Sequence, residues 1–132
     1  MTPIEVALNY VAAFASGDAD RVADCVTEDF RNNQMGALGS RFQGQALYRE
    51  RLKGFLGRFA GLRYDVDAPF ADGDRVALPY RMTATDEGRP IAIEGVMIVT
   101  VRGGHVAARD DYWDGLSYLQ QMGMAPPPFD KQ

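Results

Sequence analysis

The amino-acid sequence predicts an α+β domain in which helices pack against one face of a curved antiparallel sheet. Two observations lead to this fold class. Apolar side chains recur at helical spacing before Leu62, and alternating segments separated by turns rich in glycine and acids follow it. Helices that precede strands along the chain are typical of α+β architecture. The length of 132 residues and the 46% hydrophobic content predict one domain with a single core.

The first helix has a complete set of start and stop signals. Thr2 is a candidate N-cap, Pro3 occupies the first helical position, and Glu5 stands three residues after the cap, which together form a capping box. Gly17 follows as a stop signal. The apolar residues at helical spacing are Ile4, Ala7, Leu8, Val11 and Phe14. This segment is predicted to be an amphipathic helix.

Two further helices are predicted before the strands. Asp18 or Asp20 can cap a short second helix that ends near residues 28–29, and an extended segment begins at Phe30. Residues 35–44 contain glycine and serine and are predicted to be a loop. A third apolar stripe runs from Ala46 to Phe59 and stops at Gly61. The chain therefore supplies three helices before its strands.

Four segments are predicted to form an antiparallel meander: residues 62–72, 75–88, 90–104 and 105–114. Pro79 cannot donate a ladder hydrogen bond, so it predicts a bulge or an edge position. Asp114, next to Gly115, is predicted to introduce a short C-terminal helix. Residues 124–132 contain consecutive prolines, which favour an extended conformation.

Charge and composition exclude several kinds of partner. The net charge is −4, and the 14 basic residues are interleaved with 18 acidic ones, so nucleic acid is not an expected partner. Residues 1–5 lack the features of a signal peptide, and no apolar run is long enough to cross a bilayer. We therefore expect no membrane partner and a cytoplasmic protein.

Metal and disulfide chemistry are not expected either. Cys25 is the single cysteine and His105 the single histidine, so the sequence contains no pair for an internal disulfide and no Cys/His cluster with metal-ligand spacing. The expected complement of metals and organic cofactors is none.

Three segments, together with the first helix and the strands, resemble the nuclear transport factor 2-like superfamily, and specifically its SnoaL-like branch. The segments are "SGDADRVADCVTEDF", "FQGQALYRERLKGFLGRF" and "DYWDGLSYLQQMG". The resemblance implies a cone, in which three N-terminal helices are packed in a strongly curved antiparallel sheet and a short C-terminal helix follows. It also implies an apolar cavity for a small molecule, and a homodimer through the outer sheet face. The superfamily contains cyclases, isomerases, hydrolases and non-catalytic binders, so function must be inferred from the site.

The segment "RDDYWD" resembles the closing strand of limonene epoxide hydrolases. This resemblance places Asp111 as one member of an aspartate pair, Arg81 as the arginine that bridges the pair, and Trp113 and Tyr118 on the pocket lining. The position of the second aspartate falls on Thr83. A hydroxyl is neither an efficient acid nor an efficient base at neutral pH, so the chain departs from the pattern that epoxide opening requires.

Two amide side chains stand at positions where related enzymes have other functional residues. The water-positioning residues of the epoxide hydrolases fall on Asn32 and Gln34, and the base of ketosteroid isomerases falls near Gln34, which cannot take a proton from carbon. SnoaL-type cyclases use a single pocket aspartate, for which Asp111 is the best-placed carboxylate. The predicted ligand-binding set is Asn32, Gln34, Thr83, Met97, Trp113 and Tyr118.

Two hypotheses remain from the sequence. In the first, the protein is a cofactor-independent enzyme that acts on a lipophilic molecule, with Asp111 as acid and base and Arg81 as the polarising or orienting group. In the second, the domain binds an apolar ligand or dimerises without catalysis, and Arg81 and Asp111 form a structural ion pair. Periodicity places Arg109, Asp111 and Trp113 on one strand face but does not decide whether that face points inward.

Overall fold

The computed structural model describes residues 1–124, and the predicted extended segment at 124–132 lies outside this range apart from Met124. The helices are α1 (Pro3–Ala13), α2 (Ala19–Ala23), α3 (Gln45–Arg58) and α4 (Gly115–Gln121), with a 3₁₀ turn at Phe14–Ser16. The strands are β1 (Val26–Gln34), β2 (Arg41–Gln43), β3 (Phe59–Val66), β4 (Phe70–Asp72), β5 (Arg75–Asp86), β6 (Arg89–Arg102) and β7 (His105–Trp113). Helices pack against a curved, unclosed sheet, which confirms the predicted fold class.

The capping box predicted at the start of α1 is confirmed. The Thr2 hydroxyl accepts from the Glu5 backbone N–H at 3.2 Å, and the Glu5 carboxylate accepts from the Thr2 backbone N–H at 3.3 Å. Two donors that the helix itself leaves unpaired are thereby satisfied. Gly17 ends the 3₁₀ turn with φ +69°, a left-handed conformation that favours glycine.

The second helix is shorter than predicted. Asp18 caps it as expected, but α2 ends at Ala23 and strand β1 begins at Val26, where the sequence predicted continued helix. The Gln45 side-chain amide donates to the carbonyls of Ala23 (2.9 Å) and Val26 (3.0 Å). Since β1 also pairs with β7 from Val26 onward, tertiary contacts override the local helical pattern.

The sheet contains more strands than the predicted meander. Its order is β2-β1-β7-β6-β5-β3, and β4 pairs with β5. β1 lies parallel to β7, while the other pairs are antiparallel, and β2 forms inside the segment predicted to be a loop. The parallel pair joins segments far apart in the sequence, so it cannot be inferred from local alternation.

Pro79 lies within β5, at the point where the neighbouring strand changes from β3 to β4. The β3 pairing ends at Tyr80, and the β4 pairing starts at Ala77. The Pro79 carbonyl accepts from the Asp67 backbone N–H at 2.9 Å, so the position of the missing proline N–H faces the junction between the two strands. Pro79 therefore occupies a local edge, which is one of the two positions predicted for it.

The concave face of the sheet and the helices enclose the core. Its largest fully buried apolar side chains include Tyr10, Phe14, Phe30, Leu78 and Met97. Within residues 1–124, no helix has both the length and the apolar composition that crossing a bilayer requires.

Candidate functional site

A cavity of about 470 Å³ lies between the concave face of the sheet and helices α3 and α4. Exposure of the lining residues distinguishes its two ends. Asn32, Tyr48 and Asp111 are buried and mark the inner end, whereas Leu38 (44% exposed) and Met124 (61%) mark the mouth. Most of the remaining lining is aromatic or aliphatic, as is usual for a small-molecule site.

Strand register decides which side chains reach this cavity. On β7 the alternate residues Arg109, Asp111 and Trp113 point inward, whereas Tyr112 lies on the outer face and is 51% exposed. The parallel pairing sets β1 beside β7, with Gln34 opposite Asp111. The structure therefore shows which face of β7 points into the cavity, a question that periodicity left open.

Asp111 is held by two donors at the inner end of the cavity. Its side chain is 2% exposed. Oδ1 accepts from the Tyr80 hydroxyl at 2.6 Å, and Oδ2 accepts from Arg109 Nη2 at 2.6 Å. A carboxylate oxygen has two lone pairs, so each oxygen keeps acceptor capacity for a further partner.

Arg109 connects the carboxylate to a group of buried hydroxyls. Nη1 donates to the Tyr10 hydroxyl at 3.0 Å, and Nη2 donates to the Tyr64 hydroxyl at 3.1 Å. The hydroxyls of Tyr10 and Tyr48 are 2.5 Å apart. A guanidinium remains charged at every physiological pH, so Arg109 and Asp111 form a buried ion pair. Arg109, Asp111 and the tyrosines 10, 48, 64 and 80 are called the tyrosine network below.

Burial keeps the hydroxyls of the tyrosine network protonated. It raises the pKa of Tyr64 to about 12, and it also raises the pKa values of Tyr10, Tyr48 and Tyr80. A phenolate would be a second negative charge in an apolar surrounding, which is the physical cause of the shift. These tyrosines therefore act as hydrogen-bond donors at neutral pH.

The predicted pair between Arg81 and Asp111 is not formed. Arg81 is exposed on β5 and is opposite Asp65 and Glu94 in the strand register, whereas its neighbour Tyr80 points inward to Asp111. Arg109 takes the predicted place of Arg81. A sequence signal existed, since Arg109 stands two residues before Asp111 and so shares its strand face.

The predicted ligand-binding residues divide into two groups. Asn32, Gln34, Trp113 and Tyr118 line the cavity, and the Gln34 amide donates to Asn32 Oδ1 at 3.1 Å. Thr83 and Met97 are not part of the lining. Thr83 is half-buried on the same strand face as Arg81, and Met97 is fully buried in the core opposite Asp111.

A second polar cluster, formed by Arg58, Asp86 and Tyr118, lies at the mouth. Arg58 Nε donates to Asp86 Oδ1 at 3.0 Å, and the Tyr118 hydroxyl donates to Asp86 Oδ2 at 2.6 Å. The side chain of Asp86 is fully buried. Burial by itself would raise the pKa of Asp86, but the bonds from Tyr118 and Arg58 hold it below its ordinary value. Tyr118 was predicted on the pocket lining, but Arg58 and Asp86 were missed, since Asp86 stands near the end of a predicted strand segment and no local pattern joins it to Tyr118.

Two buried donors have no hydrogen-bond partner within residues 1–124. They are Arg109 Nε and Trp113 Nε1, and each of these residues stands two positions from Asp111 on the inward face of β7. Across the described part of the chain, no three His, Cys, Asp or Glu side chains converge as metal ligands. The carboxylate, hydroxyl and amide groups that line the cavity can form hydrogen bonds and transfer protons.

Comparison with known proteins identifies the architecture. A sequence model of the SnoaL-like domain matches residues 7–109. None of the curated proteins compared matches the chain.

Three solved structures share the fold. A Catenulispora acidiphila protein with a ketosteroid isomerase-like fold, in complex with trimethylamine, is 17% identical, with 92% of this chain and 94% of that chain covered and a TM-score of 0.83. A candidate SnoaL-like polyketide cyclase from Shewanella denitrificans is 16% identical, with coverages of 93% and 98% and a TM-score of 0.83. TerC, co-crystallised with polyporic acid, is 21% identical, with coverages of 92% and 99% and a TM-score of 0.79.

Proposed function

The chain belongs to the SnoaL-like domain family, and from this premise we propose that it is a cofactor-independent enzyme that moves a proton on a lipophilic small molecule. The observation that carries the proposal is the position of Asp111. Its carboxylate lies at the inner end of an apolar cavity that can hold a small molecule. A single titratable group in a shaped cavity is sufficient for isomerisation or intramolecular ring closure.

In the proposed mechanism, Asp111 takes a proton from the bound molecule and returns it at another position. Arg109 orients the carboxylate and balances its charge, and the Tyr80 hydroxyl fixes the other oxygen. Because the carboxylate is already positioned before the ligand binds, little reorganisation is needed during proton transfer.

The proposed ligand class is a small molecule with a large apolar surface. The aromatic and aliphatic lining supports this class. Two proteins of the same fold contain small molecules, trimethylamine in one and polyporic acid in the other. These two ligands differ in charge, so the fold does not fix the charge of the ligand.

The test is the substitution Asp111→Asn. We expect it to lower turnover of an enone, epoxide or polyketide-like substrate by about 100-fold or more, the usual contribution of a positioned acid or base. Its matched control is Asp110→Asn, which removes a carboxylate from the opposite face of the same strand and should leave turnover unchanged. Residual activity of Asp111→Asn equal to that of Asp110→Asn would contradict the proposal.

Stability must be measured in the same experiment. Removing the charge of Asp111 leaves Arg109 buried without a counter-ion, which costs about 3–5 kcal/mol. The double variant Asp111→Asn, Arg109→Gln contains no unpaired charge and restores folding if the single variant does not fold. Because this variant also lacks Arg109, its turnover is compared with that of Arg109→Gln, which keeps the Asp111 carboxylate.

A second candidate function is ligand binding without catalysis. The observation that favours it is that both oxygens of Asp111 already accept hydrogen bonds inside the protein. In that case, the Asp111→Asn, Arg109→Gln variant binds the same apolar ligands as the unmodified protein, and neither protein turns them over.

We also propose a homodimer through the outer face of the sheet. Val96 (37% exposed) and Tyr112 (51% exposed) lie opposite each other on β6 and β7, and both point away from the cavity. An apolar pair at the centre of an exposed sheet face supports a contact between two copies of the chain.

A further inference from the structure

The charges around the cavity are unequal in number. Among residues 1–124, three arginines and one aspartate line it: Arg51, Arg58, Arg109 and Asp111. Two of the three guanidinium groups are neutralised by a buried carboxylate. Arg109 is 2.6 Å from Asp111, and Arg58 is 3.0 Å from Asp86. The two ion pairs leave the charge of Arg51 uncompensated.

Arg51 is positioned at the mouth by an aromatic ring. It extends from α3, and its Cζ lies 4.5 Å from the centre of the Phe42 ring, which also lines the cavity. Stacking on a ring leaves the N–H donors at the edge of the guanidinium group available for a ligand. Arg51 itself is exposed, and within the described part of the chain its side chain forms no ion pair or hydrogen bond with another residue.

Neighbouring acidic residues are paired with other cations. Glu50 accepts from Lys53 at 3.0 Å, and Asp20 and Asp24 accept from Arg49 at 2.6 and 2.8 Å. The helix that carries Arg51 therefore presents this cation toward the cavity, whereas the charges on either side of it are compensated.

We infer that the cavity takes an amphipathic anion, whose apolar body fills the aromatic interior and whose carboxylate or equally charged acidic group binds Arg51 at the mouth. This inference rests on the proposed use of the cavity as a small-molecule site. The planar guanidinium matches a carboxylate with two parallel hydrogen bonds. Arg58 is compensated by Asp86 at 3.0 Å and by Glu87 at 3.9 Å, so among the described residues Arg51 is the cation of the lining that remains for a ligand.

Three probes that share a phenylbutyl body and differ in the polar group at its end test the inference. Phenylbutanoate is the anion, phenylbutanol the neutral analogue and phenylbutylamine the cation, and their dissociation constants are measured by calorimetry at low and high salt. We expect phenylbutanoate to bind about tenfold more tightly than phenylbutanol at low salt, and phenylbutylamine to bind most weakly. High salt should weaken binding of the anion and leave binding of the alcohol unchanged.

The substitution Arg51→Gln should remove the preference. It is expected to raise the dissociation constant of phenylbutanoate by about three- to tenfold and to leave that of phenylbutanol within about twofold. Lys53→Gln is the matched control, because it removes one positive charge from the exposed side of the same helix. The control should leave both dissociation constants within about twofold of the unmodified protein.

The possible outcomes separate this inference from the proposed function. Equal binding of acid and alcohol, or an equal loss of acid binding in Arg51→Gln and Lys53→Gln, overturns the anion inference and leaves a neutral-ligand cavity standing. Failure of all three probes to bind overturns both the anion inference and the small-molecule site. A retained preference for the acid, with Asp111→Asn fully active, supports the anion site and rejects the proposed acid/base role.

Discussion

At the inner end of the cavity, a carboxylate and a guanidinium are buried side by side, and neither charge would be stable there alone. Transfer of one isolated ion from water into an apolar interior is highly unfavourable, and the partner charge and the tyrosine hydroxyls offset this cost. Tyr80 belongs to this arrangement because its hydroxyl is the second donor to Asp111. Its position depends on the absence of a side chain at Gly95.

Gly95→Ala is predicted to displace Tyr80. A Cβ at this position would lie 2.7 Å from the Tyr80 hydroxyl oxygen and 2.6 Å from the Tyr112 carbonyl oxygen, so the ring or the strand must move. We expect the free energy of unfolding to fall by about 1–3 kcal/mol, as is typical of overpacking. Urea denaturation measures the change.

Gly54→Ala provides the control for this prediction. Gly54 lies in α3, and a Cβ there would meet nothing within 4 Å. Alanine favours helix over glycine, so this variant should gain about 0.5–1 kcal/mol. If Gly95→Ala were as stable as the unmodified protein, the close packing of Tyr80 against β6 would not restrain Asp111.

Among the elements, α4 is attached to the rest of the domain by packing of Tyr118 and by side-chain hydrogen bonds. None of its own residues is fully buried. Pairing of β7 with β6 begins at Gly95, so the Ala92 backbone lies beyond the end of β7. The Gln121 side chain completes that edge, accepting from Ala92 N–H at 2.8 Å and donating to the Ala92 carbonyl at 2.9 Å. α4 covers part of the cavity through Tyr118, so this attachment also shapes the site.

Gln121→Ala is predicted to loosen α4. Loss of both bonds leaves the Ala92 backbone groups without their partners, which costs about 1–3 kcal/mol. This cost lowers the free energy of local unfolding of α4. Amide hydrogen exchange of residues 115–121 should become about tenfold faster or more, while exchange in β5 and β6 changes little. Gln120→Ala is the control, and equal exchange in the two variants would show that Gln121 does not hold the helix.

How well each element could be predicted depends on how far apart in the sequence the residues are whose contacts determine it. The start of α1 was predicted because its capping box joins residues three apart. The end of α2 was not predicted, because Gln45 determines it from α3. Strand β2 was missed for the same reason, since a three-residue strand forms only where β1 is beside it.

For the whole molecule, the outer sheet face should determine the oligomeric state. If two copies meet through Val96 and Tyr112, the substitution Val96→Arg places an unpaired charge in the contact and should shift the protein from dimer to monomer. Sedimentation velocity at micromolar concentration measures the shift. Leu8→Arg on α1 is the control and should sediment like the unmodified protein, whereas a monomeric unmodified protein would contradict the proposed dimer.

The sequence alone determined the fold class, the capping of α1 and which residues share each face of β7. These properties depend on periodicity and on contacts between near neighbours in the chain. Only the tertiary structure decided that the face with Asp111 points inward and that Arg109, rather than Arg81, is its partner. A period of two assigns side chains to a face but cannot orient that face. Its direction follows from packing against α1 and β5, where Tyr10 and Tyr80 reach the pair from positions 99 residues from Arg109 and 31 residues from Asp111.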